Sequence, residues 1–230
     1  MNPEYRDRDR IKSYATRAFR MSHHQRAAYE RLRERYCVAR SVTPVRPHEL
    51  FPTPAPVVLE IGFGMGRATA EIARARPDWN YLGVEVYTPG VGKLLALIEE
   101  HDLSNVRIIH DDAILVLDDM IPSESLAGIH LFFPDPWPKK RHHKRRIVRP
   151  ALAAVMADRI APGGYLFMVT DWQEYALAAR DVFGDTGLID DSERARDELA
   201  WRPQTAFERK GLASGRPIAE LYYTKPEKRV

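Results

Sequence analysis

A carboxylate held between two prolines, with a tryptophan and a run of cations behind it, is the segment best suited to chemistry. Residues 131–146 read LFFPDPWPKKRHHKRR, and the prolines beside Asp135 restrict the backbone, so that its carboxylate is held in place. Trp137 offers a flat face for stacking a base, and the cations after it are able to bind phosphates. This combination predicts a site for a base carried on a polynucleotide; the alternative is a rigid turn followed by a solvated basic segment. The histidine pair has no third ligand at a suitable spacing, so we predict no metal site.

A glycine-rich loop after the first predicted strand indicates a second binding element. The sequence EIGFGMG (60–66) leads directly into a predicted helix, and its glycines, Gly62, Gly64 and Gly66, permit positive φ and close approach of a ligand. The dinucleotide fingerprint requires a third glycine where Arg67 stands, and no Walker G-K-[ST] follows. The spacing therefore disfavours a dehydrogenase. It resembles that of class I S-adenosylmethionine-dependent methyltransferases, whose cofactor carries no phosphate.

Acidic residues stand at the carboxyl ends of the first three predicted strands. Glu60 ends the first strand, Glu85 the second, and the pair 111–112 follows the third. A carboxylate accepts two hydroxyl hydrogen bonds at once, so Glu85 is expected to bind the ribose hydroxyls. Asp112 is favoured for the adenine end because it directly precedes Ala113. Each acid alone could be a solvated turn residue, but three at neighbouring strand ends predict one site.

Alternating strands and helices must position these residues. Strands are predicted at 57–61, 80–86, 106–110, 127–134 and 163–171. Helices are predicted between and after them at 67–77, 90–101, 113–120, 147–160 and 172–183. Such alternation is typical of an α/β fold with a parallel sheet covered on both faces. Two further strands are predicted at 198–203 and 218–225, joined by a loop over 205–216.

The charge distribution divides the chain and indicates a polyanionic partner. Residues 1–40 hold 11 Lys/Arg against 5 Asp/Glu, and the basic segment 139–149 holds 7 Lys/Arg and no acid. Because the whole chain carries only +3, the remainder is acidic, and nucleic acid is the expected partner. We predict a basic, partly mobile N-terminal arm and helix (1–43, with a helix over 22–36 capped by Ser22), a proline-rich linker (44–56) and a catalytic domain (57–230).

Cysteine content and hydropathy give two further expectations. Cys37 is the single cysteine, which is compatible with a reducing cytoplasm. No stretch approaches the ~18 consecutive apolar residues that a membrane helix needs, so no membrane span is predicted.

Nearly all of the chain resembles the bacterial tRNA (guanine-N7)-methyltransferases. The resemblance rests on EIGFGMG, on FFPDPW with its basic tail, on TDW (170–172) and on RPQTAFERKG (202–211). It implies a class I Rossmann-like fold: a mostly parallel seven-stranded sheet with helices on both faces and an antiparallel strand near the C-terminus. It also implies S-adenosyl-L-methionine as cofactor, tRNA as partner, and methylation of N7 of the variable-loop guanine, position 46.

Site residues follow from the resemblance together with the motifs above. The cofactor contacts are Glu60, Gly62, Gly64, Gly66, Glu85, Asp112 and Asp135. The substrate contacts are Lys139, Arg145, Arg146, Asp171, Thr205, Phe207 and Glu208. Asp135 is the implied catalytic residue, and we interpret it as orienting the guanine and stabilising its developing positive charge, since N7 needs no base to free its lone pair. Ala206 stands where a polar or basic residue is common in the family, so a side-chain contact is lost there.

Two questions stay open from the sequence. The protein could be a non-catalytic or differently targeted S-adenosylmethionine-binding RNA-binding protein, and cofactor binding would exclude a module that merely keeps the fold. The choice between monomer and homodimer is also open.

Overall fold

A seven-stranded sheet organises the part of the chain that the structure describes, a computed structural model covering residues 12–14, 20–195 and 201–228. The strands are β1 (Val57–Ile61), β2 (Asn80–Val84), β3 (Val106–Ile109), β4 (Leu126–Phe132), β5 (Ile160–Thr170), β6 (Ile189–Asp190) and β7 (Ala219–Thr224). Their spatial order is β3-β2-β1-β4-β5-β7-β6. The first five pair in parallel, whereas β7 runs antiparallel to both β5 and β6.

Helices cover both faces of this sheet. They are α1 (His23–Tyr36), α2 (Arg67–Ala75), α3 (Thr88–Glu100), α4 (Ala113–Asp119), α5 (Pro150–Arg159), α6 (Gln173–Gly184), α7 (Ser192–Ala195) and α8 (Ala206–Ala213). Short 3₁₀ helices span Pro47–Leu50 and Lys140–Arg145. The apolar residues of the strands divide between two buried clusters, one on each face, as the strand–helix alternation predicts.

The order of the strands fixes where a ligand is expected to bind. Strand order reverses between β1 and β4, which are neighbours in the sheet although β2 and β3 separate them in sequence. In open α/β sheets, ligands bind outside the carboxyl ends of the strands at such a switch point. The glycine loop (62–66), the acidic strand ends and the segment after β4 all lie on this edge.

The predicted N-terminal helix is confirmed and packs on the body of the molecule. Ser22 caps α1 by accepting a hydrogen bond from the Gln25 amide, and the Gln25 side chain returns a bond to the Ser22 amide. The helix lies against α3, burying Ala28 and Tyr36. The backbone of Cys37 then forms an isolated β-bridge with Ile108 of the edge strand β3. In the described residues, no helix is both long and apolar enough to cross a bilayer.

The C-terminal part differs from the sequence prediction in two respects. The predicted strand over 198–203 is wrong at 201–203, which form a turn and a bend and pair with no strand; 198–200 lie outside the described residues. The antiparallel partner of β7 on that side is instead β6, only two residues long. The predicted loop over 205–216 contains helix α8, because Thr205 and Glu208 form a capping box that starts a helix at Ala206.

Candidate active site

The glycine loop adopts the backbone that its glycines were predicted to allow. Gly62, Gly64 and Gly66 have φ of 73°, 57° and 67°, in the left-handed region that side chains disfavour. A Cβ placed on Gly62 or Gly64 would meet no atom within 4 Å, so the loop faces open space at the switch point. This is a surface that a ligand can approach closely.

Glu85 ties the glycine loop to the start of α3. One carboxylate oxygen accepts a hydrogen bond from the Gly64 amide (2.8 Å), and the other accepts from the amides of Val86 (2.7 Å) and Tyr87 (2.9 Å). The oxygen facing Gly64 therefore keeps acceptor capacity for a ligand hydroxyl. The helix itself touches the loop, since a Cβ on Gly90 would come within 1.9 Å of the Gly64 carbonyl oxygen.

The carboxyl group of Glu60 is buried beside a buried histidine on the neighbouring strand. Its residue is 2% exposed, and Glu60 and His130 are register partners on adjacent strands. Burial raises the pKa of Glu60 to about 7, and the charge of Glu85 adds to the rise. Burial lowers the pKa of His130 to about 3, so this histidine is neutral and bonds the Tyr165 hydroxyl at 2.9 Å. One oxygen of Glu60 has no hydrogen-bond partner among the described residues, which marks it as an acceptor for a ligand.

The raised pKa of Glu60 predicts a specific pH dependence of stability. The unfolded chain ionises this group near pH 4.5, but the folded protein keeps it protonated to about pH 7. Folding therefore becomes less favourable as pH rises through this window, by about 3 kcal/mol in total. Glu60→Gln removes this effect, so in urea titrations the variant should gain stability relative to the parent from pH 4.5 to about 7. Parallel pH profiles would contradict the prediction.

The two acids after β3 have different contacts. Asp111 accepts hydrogen bonds from Arg40 (3.1 Å) and from the Asp112 amide (2.7 Å). Asp112 caps α4 by accepting from the Ile114 amide at 2.9 Å. Sequence reasoning assigned no role to Arg40, which also binds Asp119, the last residue of α4, and so links the two ends of that helix. Arg40 thus binds Asp111, and the assignment of Asp112 to a ligand stays a prediction.

The segment after β4 carries backbone strain on both sides of the candidate catalytic residue. Phe133 and Trp137 have φ of 51° and 45°, and both are bulky residues that rarely adopt the left-handed region. Between them, Asp135 is exposed. Strain of this kind costs on the order of 1–3 kcal/mol per residue and clusters at functional sites. Residues 134–137, the PDPW segment, are therefore held in a conformation that packing and hydrogen bonds must stabilise.

N-terminal residues lie against the PDPW segment. The Trp137 indole nitrogen donates to the Ser13 carbonyl at 3.2 Å. The guanidinium of Arg145 lies 3.7 Å from the centre of the Trp137 ring and donates to the carbonyls of Lys12 (2.8 Å) and Tyr14 (2.7 Å). Arg145 thus covers one face of the indole, and its donors are shared with the chain itself.

Arg146 requires a correction, since its side chain lies inside the protein rather than on the binding surface. It is 5% exposed and donates to the Pro136 carbonyl at 2.9 Å while pairing with Glu174 on α6. Its guanidinium also lies over the ring of Tyr175, 4.6 Å from the centre. The arginine therefore fastens the PDPW segment to α6. The exposed cations of the basic segment include Lys139, Lys140, Arg141 and Lys144.

The C-terminal candidates surround the same edge of the sheet. Asp171, just after β5, accepts a hydrogen bond from Arg216 at 2.7 Å. Thr205 caps α8, and the exposed ring of Phe207 stacks on Phe133 with a centroid distance of 6.2 Å. Glu208 faces inward and pairs with a buried arginine, Arg202, to which sequence reasoning gave no role. The R-P-x-T-x-F-E motif contained Arg202, but nothing local indicated its burial.

Comparisons with known proteins agree with this geometry. Residues 54–221 match a family model described as "Putative methyltransferase". The tRNA (guanine-N(7)-)-methyltransferase of Nitrosomonas europaea is 46% identical over 94% of this chain and 96% of its own. That of Paraburkholderia xenovorans is 48% identical over 95% of this chain and 84% of its own.

Solved structures confirm the predicted class I methyltransferase fold. The 16S rRNA methyltransferase KamB superposes with a TM-score of 0.52 at 17% identity, over 94% of this chain and 99% of its own. The aminoglycoside resistance methyltransferase NpmB1 gives 0.51 at 15% identity, over 94% and 98%. These two likenesses show the fold alone, whereas the sequence relatives extend along nearly the full length. By that measure, the chain belongs to the tRNA (guanine-N(7)-)-methyltransferase family.

Proposed function

We propose that this protein transfers a methyl group from S-adenosyl-L-methionine to N7 of guanine in tRNA, at variable-loop position 46, giving 7-methylguanosine. The observation that carries the proposal is Asp135, which stands between two strained residues at the switch-point end of β4, next to the strand that leads into the glycine loop. The two relatives named above, which match this chain over 96% and 84% of their own lengths, are called tRNA (guanine-N(7)-)-methyltransferases.

The cofactor fits the residues at the ends of β1, β2 and β3. The open face of the glycine loop leaves room for the methionine part. Glu60, whose second oxygen has no partner among the described residues, would receive the cationic amino group in its ionised form. Glu85 would accept hydrogen bonds from the ribose hydroxyls, and Asp112 would contact the adenine. When bound, S-adenosylmethionine supplies an electrophilic methyl group on a sulfonium.

The protein's own residues then orient the base and stabilise charge. Guanine N7 has a free lone pair, so Asp135 need not remove a proton; its negative charge opposes the positive charge that the ring acquires. The exposed ring of Phe207 offers a stacking surface for the guanine beside Phe133. Asp171 and Thr205 lie at the same edge as further substrate contacts, and Lys139 is placed to meet a phosphate.

A labelled methyl-transfer assay tests the proposal. Unmodified tRNA is incubated with radiolabelled S-adenosylmethionine, and the modified base is identified by nuclease digestion and mass spectrometry. The expected product is 7-methylguanosine at position 46. Label on another base, or cofactor binding without transfer to tRNA, would favour the differently targeted or non-catalytic reading instead. Because tRNA is a cytoplasmic substrate, a cytoplasmic location belongs to this proposal.

The exposed lysines of the basic segment should set the salt dependence of tRNA binding. Replacing Lys139, Lys140 and Lys144 by alanine removes up to three phosphate contacts. The slope of log affinity against log salt should then become shallower by roughly 2–3, at ~0.7–0.9 per contact. Filter binding between low and moderate salt measures this slope. Lys228→Ala is the matched control, because Lys228 pairs with Glu124 just before β4, at the opposite edge of the sheet. An unchanged slope in the triple variant would contradict the assignment.

A further inference from the structure

An arginine with a buried side chain, just before α8, is held by two carboxylates. The side chain of Arg202 is 6% exposed. Its two terminal nitrogens donate to the two oxygens of Glu208, at 2.7 and 3.1 Å. One of them also donates to Glu220 at 2.7 Å, as does the third guanidinium nitrogen at 3.2 Å. An ordinary surface ion pair is more exposed than this one and lacks its two-pronged contact.

This network joins three elements at one edge of the sheet. Glu208 lies in the first turn of α8, and Glu220 lies on β7 opposite Val169 of β5. The guanidinium also lies 5.9 Å from the ring of Phe132, the last residue of β4. Burial alone would lower the pKa of Arg202, but its hydrogen bonds to the two carboxylates raise it, so the arginine stays charged. Without it, two partly buried carboxylates would be left unpaired, which is costly.

The helix that this network holds carries side chains at the candidate site. Phe207 is 64% exposed and stacks on Phe133, the strained residue that precedes the PDPW segment. On the same helix, a Cβ added to Gly211 would come within 2.9 Å of the Asp171 Cβ. Small displacements of α8 would therefore move Phe207 and press on Asp171.

We infer that Arg202 is a positioning residue for methyl transfer, which fixes α8 through Glu208 and Glu220 and thereby sets where Phe207 receives the guanine. Glu208 is the member of this network that lies on α8 itself. The inference rests on the proposed function, because it assigns the substrate-facing role to Phe207.

Arg202→Lys is the first test, since it keeps the charge but cannot form the two-pronged contact with Glu208. Hydrogen exchange should become faster in the amides of 206–213, and the affinity for S-adenosylmethionine should stay within about twofold of the parent. The single-turnover rate at saturating tRNA should fall on the order of 10- to 100-fold, as expected when a reacting group is displaced by about 1 Å. Arg180→Lys is the control, because Arg180 makes an exposed pair with Asp190 and should change none of these three readouts. Glu220→Gln, which leaves the Glu208 contact intact, should give a smaller loss.

A double variant distinguishes positioning from general destabilisation. Phe207→Ala should also slow the single-turnover rate, and adding Arg202→Lys to it should cause little further loss, because Arg202 acts through Phe207. Fully additive losses, or faster exchange in α8 with an unchanged rate, would overturn the inference. Assays of the unaltered protein distinguish a failure of this inference from a failure of the proposed function. If the unaltered protein transfers no methyl group to guanine N7, the proposed function is wrong. Hydrogen exchange still reports whether Arg202 holds α8 in place.

Discussion

Asp135→Asn should lower the single-turnover rate of methyl transfer by about 10²–10³-fold, the usual cost of losing one preorganised electrostatic contact. Asparagine keeps the size of the side chain and an acceptor oxygen, so the prolines and the strained residues around position 135 still hold it in place. What it removes is the negative charge, which matters most when the guanine ring becomes cationic. The loss therefore belongs to the chemical step rather than to binding.

Single-turnover measurements at saturating cofactor and tRNA isolate this step, and calorimetry gives the two dissociation constants. Both constants should remain close to those of the parent. Asp158→Asn is the matched control, since Asp158 lies on α5 and bonds the hydroxyl of Ser123, just before β4 and away from the candidate site. A near-normal rate with much weaker binding would make Asp135 a binding residue, and the catalytic role would then pass to Asp171.

Gly90→Ala should distort the cofactor site by displacing the glycine loop or the helix packed against it. The added methyl group would stand 1.9 Å from the carbonyl oxygen of Gly64, so either the glycine loop or the start of α3 has to move. Overpacking of this kind typically costs 1–3 kcal/mol. Because Glu85 bonds both elements, we expect part of this cost in binding, with S-adenosylmethionine affinity weaker by about 10-fold or more.

Calorimetry and urea unfolding together measure the effect of Gly90→Ala. Gly184→Ala is the control, because a Cβ there meets nothing within 4 Å and the residue ends helix α6. That variant should bind cofactor normally and be at least as stable as the parent. If Gly90→Ala lost stability but bound cofactor normally, the loop and α3 would not be coupled as the structure indicates.

The parts of the site that sequence could predict are those with a local cause. The glycine loop, Glu85 and Asp112 follow buried strands directly, so strand periodicity and the alternation with helices were enough to place them on one edge. The helix at Ser22 was equally readable, because its cap and its apolar side lie within fifteen residues. α8 had a comparable cue in Thr205 and Glu208, which the loop prediction overlooked.

The remaining features depend on contacts between distant residues. Arg145 and Arg146 are adjacent and chemically identical, yet Arg145 covers Trp137, whereas Arg146 points to Glu174, 28 residues further along. Strand β6 has only two residues, and its pairing with β7 creates it. Such choices are made by tertiary packing, and no local pattern records them.

The contacts of Arg145 with the carbonyls of Lys12 and Tyr14 have a consequence for selectivity among RNAs. These acceptors belong to the same chain, so their effective concentration near Arg145 is high. A phosphate that takes their place has to compete with an internal ligand that is always present. A short oligonucleotide with one or two phosphates in reach gains little from that exchange. Under the proposed function, a folded tRNA that reaches the lysines and Arg145 together would offset this cost with several contacts, and the protein's own chain would then discriminate against fragments.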